Sequence, residues 1–81
     1  MTTAEYRPES KEYVDSELFK VWLRMILSRP GMSYERIAKE AEGWGVNPST
    51  IKGALKNDRI ALDTMDRIVM GQGFMLWELG Y

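Results

Sequence analysis

Ser49, Thr50, Lys52, Gly53 and Lys56 fall close together in the chain, and in a helix that starts at Pro48 they lie on the side opposite Ile51, Ala54 and Leu55. This outward set is small, polar and basic. The chemistry open to it is hydrogen bonding and charge neutralisation, and nothing in it is too bulky for the major groove of a nucleic-acid duplex. The rest of the chain offers no bond-making machinery. There is no histidine and no cysteine, which removes a histidine base, a cysteine nucleophile, a disulfide and a His/Cys zinc site. Gly71-Gln72-Gly73 follows a helix pattern and lacks the strand that a nucleotide-binding loop needs. The expectation is a binding protein, not an enzyme, with no metal and no cofactor.

The elements that must hold this face are marked by two helix-start signals of the same construction. Ser33 is an N-cap whose hydroxyl can accept an amide hydrogen of the first turn, and Met32 with Ile37 occupies the two positions of a hydrophobic staple. Asn47 repeats the device, with Pro48 at the first helical position and Val46 with Ile51 as the second staple. Between them, Glu42-Gly43-Trp44-Gly45 cannot continue a helix cheaply, because each glycine costs about 1 kcal/mol against alanine there. The reading is helix, turn, helix, with Ile37, Ala38 and Ala41 as the buried side of the first and small enough for close approach.

Ser33-Tyr34-Glu35-Arg36-Ile37-Ala38-Lys39-Glu40-Ala41 followed by Gly45-Val46-Asn47-Pro48-Ser49-Thr50-Ile51 resembles the helix-turn-helix of the phage repressor and Cro family, also called the XRE family. Leu62 to Ile68 and Gly73-Phe74-Met75-Leu76-Trp77-Glu78-Leu79 resemble its fourth helix and the start of its fifth, so the likeness covers residues 18 to 79. One departure is that Glu42, Gly43 and Trp44 precede the turn glycine and enlarge the turn. The resemblance implies an all-α, four- to five-helix domain of the lambda-repressor type. It also implies a prokaryotic or phage transcriptional regulator that binds double-stranded DNA with its second motif helix in the major groove. The positions it implies as DNA-facing are Asn47, Pro48, Ser49, Lys52, Gly53 and Lys56, and Tyr34, Arg36, Thr50 and Arg59 join them as DNA-binding candidates by their own chemistry. Of these, Ser49 and Lys52 suit base edges, since a hydroxyl donates or accepts and lysine reaches guanine O6 and N7. Thr50, Lys56 and Tyr34 suit phosphates, with Arg36 and Arg59 behind them, and the N-termini of both motif helices would face phosphates. Gly53 stands where a long side chain is common, so base readout is expected to be thin.

The charge distribution agrees with that face. The net charge is −1, yet residues 20–59 hold eight basic against four acidic side chains, whereas residues 1–19 hold two against five. Eighty-one residues make one domain near the small end at which a core folds a chain unaided. Residues 1–14 read as a flexible acidic arm, from which Tyr6, Tyr13 and Val14 can fold back, and residues 15–81 as the domain. Asp15 or Ser16 starts the first helix, whose stripe is Leu18, Trp22, Met25, Ile26 and Arg29, broadened by Phe19, Leu23 and Leu27. Lys20 and Arg24 are expected together on its solvated side, and Pro30-Gly31 ends it. The fourth helix runs from Leu62 to Met70 with Gly71 and Gly73 ending it, and Phe74, Leu76 and Leu79 close the core. No strand pattern is visible. The N-terminus lacks a signal-peptide layout and no 18-residue apolar run occurs, so the expected location is the cytoplasm, without membrane contact.

Two further expectations concern tryptophans. Trp44, between two glycines, is expected to order the enlarged turn by packing over the neighbouring helices. Met75, Trp77 and Tyr81 are expected to face water and to form the interface of a homodimer. The same exposed groups, the near-neutral charge and Gly53 also fit a protein-interaction module of this fold that does not bind DNA, such as an antirepressor, an antitoxin-like partner or an assembly partner.

Overall fold

The computed structural model describes residues 12–41 and 46–81. The elements run β1 (Tyr13–Asp15), α1 (Glu17–Leu27), α2 (Tyr34–Glu40), α3 (Pro48–Ala54), β2 (Arg59–Ala61), α4 (Leu62–Gly71) and α5 (Leu76–Leu79). The chain is therefore mainly helical, with five helices and a two-stranded sheet among the described residues. The two central caps form as their chemistry requires. Ser33 Oγ accepts the Arg36 amide at 3.1 Å, and Asn47 Oδ1 accepts the Thr50 amide at 3.0 Å with Pro48 opening α3. Met32 and Val46, the outer halves of the two staples, pack against the core.

One core serves all the helices. Phe19, Trp22, Leu23 and Ile26 of α1 meet Ile37 and Ala38 of α2, Ile51 and Ala54 of α3, and Met65, Ile68 and Val69 of α4. Phe74, Leu76 and Leu79 close it from the C-terminal side. Trp22 stacks on Phe19 and meets Phe74 edge-on, with ring centroids 5.7 and 5.6 Å apart. The Arg29 guanidinium covers Phe74 from outside, 5.9 Å from the ring centre. Among the described elements α2 and α3 make the most extensive contact, so α3 is packed on α2.

Four expectations are corrected. The first is the absence of strands: β1 and β2 pair antiparallel, Tyr13 with Ala61, Val14 with Ile60 and Asp15 with Arg59. Each strand is three residues long, too short for alternation to show, and their pairing joins segments far apart in sequence. Tyr13 and Val14, assigned to the arm with the capacity to fold back, do so as β1. The second concerns α1, whose buried face is Phe19, Trp22, Leu23 and Ile26, while Leu18 and Met25 stay largely exposed. Both sets satisfy helical spacing, and only the neighbours decide between them.

The third correction is Lys20, which is buried rather than solvated. Its stem lies along the core edge, and its ammonium reaches Asp58 at 3.3 Å, just beyond the Ser16 amide and hydroxyl, which donate to the Asp58 and Asn57 carbonyls at 3.0 and 2.8 Å. Together these contacts fasten the start of α1 to the exit of α3. The fourth is the end of α4, which falls one residue later than expected, with Gly71 as the last helical residue rather than the first beyond it. A Cβ there would stand 2.9 Å from the Glu40 carbonyl oxygen, so the glycine lets the ends of α2 and α4 touch. The left-handed conformation comes later, at Gly73 with φ 85°.

Candidate nucleic-acid interface

The face sought in the sequence exists on α3. Ser49, Lys52 and Lys56 are exposed and Gly53 is half-buried, while Ile51 and Ala54 turn into the core. No acidic residue occurs between Glu42 and Asp58, and among the described residues neither Lys52 nor Lys56 forms an ion pair. Both ammonium groups are thus available to an anionic partner. Nothing lies within 4 Å of a Cβ built on Gly53, so the centre of the face is open.

Asn47 organises the leading edge of this face. Its Oδ1 accepts hydrogen bonds from the Ser49 hydroxyl at 2.6 Å, the Thr50 hydroxyl at 3.0 Å and the Thr50 amide. Both hydroxyl protons are therefore committed, and Ser49 presents its lone pairs outward. Ser49 can accept from a base amino group more readily than it can donate.

The remaining candidates divide according to their partners. Arg36 bridges Glu40 at 3.3 Å and donates to the Gly31 carbonyl at 3.3 Å, so it braces α2. Arg59 donates to the Tyr13 carbonyl at 2.7 Å, fixing its guanidinium against β1. Tyr34 is half-buried and packs against the core. The outer surface of α2 mixes Glu35 and Glu40 with Arg36 and Lys39 around one open depression, which makes it a poor match for a polyanion beside the acid-free face of α3. The Glu40 carboxyl is held below its ordinary range. The cause is chiefly the Gln72 amide donating at 2.6 Å, opposed by partial desolvation and aided by Arg36.

Sequence reasoning passed over a second feature. Thr50, Gly53 and Asn57 form one flank of α3 and its exit, and this flank borders an open hollow of about 200 Å³ that Tyr13, Arg59 and Thr64 also line, with Ala54, Ile60 and Ala61 as its apolar part. Tyr13 and Thr64 have no sequence signal toward it, because the hollow is created by β1 crossing beside α3. Asn57 reads only as a turn residue.

At the C-terminal end, Met75 is 51% and Trp77 69% exposed. Tyr81 is 38% exposed, but its hydroxyl is used inside the chain: it donates to the Asp15 carbonyl at 2.8 Å and accepts the Phe19 amide at 3.1 Å. Trp44 and the enlarged turn lie outside the described residues. Among those residues no helix is long and apolar enough to cross a membrane.

Comparison with family models, with curated proteins and with solved structures returns no match for this chain in any of the three. The outer face of α3 is therefore the observation from which a function can be argued.

Proposed function

We propose that this chain is a sequence-specific DNA-binding transcriptional regulator of the repressor/Cro kind, with a lambda-repressor-like arrangement of its helices and α3 as the helix that enters the major groove. The supporting observation is the outer face of α3: exposed, free of acid, with two lysines that form no ion pair among the described residues around an open glycine, on a helix packed against α2. Lys52 reads a base edge, Ser49 accepts from one, and Lys56 neutralises a phosphate. A two-fold dimer built on Trp77 and Met75 would present two such faces to the DNA. Anisotropy of a labelled duplex, with wild type and Lys52→Ala at low and moderate salt, tests the reading. Saturable binding that weakens steeply with salt and is impaired in Lys52→Ala supports it.

A second reading has its own observation. Trp77 and Met75 are large, apolar and mostly in water, which also suits a protein-interaction module of the same fold, an antirepressor, antitoxin-like or assembly partner. A folded chain that binds no duplex at low salt moves the assignment there.

A further inference from the structure

We infer that the hollow between α3 and the sheet is the seat of one backbone phosphate of the bound duplex, so that β1 takes part in DNA binding although it lies far from the helix-turn-helix in sequence. The inference rests on the DNA-binding reading and adds a site to it. An α-helix with its side chains is about as wide as the major groove. A helix lying there with Ser49 and Lys52 toward the bases must therefore set its flanks against the phosphate walls. The flank carrying Thr50, Gly53 and Asn57 opens into the hollow.

The polar part of the lining has the chemistry of an oxyanion site, beside the apolar Ala54, Ile60 and Ala61. Among the described residues no carboxylate lines it, in a chain that carries more acids than bases. Arg59 supplies a guanidinium already held in place by one hydrogen bond to the Tyr13 carbonyl, and among the described residues its other N–H groups have no partner and can donate. Among the described residues the Asn57 carboxamide and the Tyr13 and Thr64 hydroxyls make no hydrogen bond, so three further donors are uncommitted around the same space. Gly53 keeps it open, since a side chain there would occupy the volume without meeting any atom at its Cβ. This reverses the meaning of that glycine: it is a vacancy required by a phosphate.

Gly53→Leu fills the hollow while leucine favours the helix, and Asn57→Ala removes a donor without filling it. The measurements are thermal melting and the dependence of duplex affinity on salt for wild type, both variants and Lys52→Ala. Gly53→Leu is expected to melt no lower than wild type, to weaken binding to unrelated duplexes equally, and to reduce the slope of log K against log salt by about 0.9, one phosphate contact. Asn57→Ala is expected to weaken all duplexes without changing their order. Unchanged affinity and slope in Gly53→Leu, or tighter binding through a new base contact, overturns the phosphate seat while leaving α3 as the reading helix. Loss of the Asn57 amide resonance shift in Gly53→Leu on titration with inorganic phosphate, with the duplex slope intact, marks a free-anion site and also overturns it. If wild type binds no duplex at low salt, the seat and the DNA-binding reading fall together.

Discussion

Lys52 and Lys56 differ from Arg36 and Arg59 in what already holds them. The two arginines are tied to Glu40, Gly31 and Tyr13 inside the chain, whereas the two lysines have no ion partner among the described residues. A side chain without an ion partner in the free protein would break no intramolecular pair on meeting DNA, and would give up only its rotamer freedom and part of its hydration. Lys52→Ala is expected to lose about 1–3 kcal/mol on a preferred duplex and less on others if it reads a base. Equal losses on every duplex in a titration series would make it a phosphate contact. The glycines divide in the same way. Gly53→Ala is expected to stabilise by roughly 0.5–1 kcal/mol, the helix propensity difference. Gly71→Ala is expected to cost about 1–3 kcal/mol, because its Cβ would press on the Glu40 backbone. Denaturant unfolding of the two variants checks both signs, and destabilisation by Gly53→Ala would show that the α3 flank is less open than described.

Between elements, the join of α2 to α4 carries a titratable clamp. Gln72 and Arg36 hold the Glu40 carboxylate, so its pKa in the folded chain lies below the ordinary value of 4.5. Below that value the unfolded chain takes up the proton first, and the stabilisation present at neutral pH is lost as pH falls through the folded pKa. Wild type is therefore expected to lose stability more steeply than Glu40→Gln between about pH 5 and pH 3. Parallel curves for the two proteins in urea unfolding would mean that the clamp contributes nothing. The caps of α2 and α3 were legible because a cap needs only a few neighbouring residues, and Ser33 and Asn47 carry the whole signal. The pairing of β1 with β2, the burial of Lys20 against Asp58 and the close approach at Gly71 were not legible. Each depends on a partner more than 30 residues away, and local periodicity is silent about such partners. The hollow was illegible for the same reason: Tyr13 reaches α3 only through the sheet.

For the whole molecule, if α3 enters the major groove as proposed, one short helix with a glycine at its centre would cover few base pairs, so a single copy would have little power to select one site in a genome. Two copies on half-sites about one helical turn apart would restore it. Trp77 and Met75 are the exposed apolar groups at the C-terminal end, and Tyr81 contributes its ring while its hydroxyl stays bound to α1. Sedimentation of wild type and Trp77→Glu, with and without duplex, is expected to give a dimer on DNA for wild type and weaker, one-per-site binding for the variant. Monomers of equal affinity in both cases would exclude this interface.

The most direct test of the DNA-binding assignment is selection of preferred sites from a pool of random duplexes by wild type and by Lys52→Ala, each shown to be folded. Wild type is expected to enrich a short motif repeated as two inverted half-sites, and Lys52→Ala to lose the preference at one position of each half-site while keeping the spacing. A folded wild-type protein that retains no duplex at low salt, or retains duplexes without enriching any motif, would contradict it.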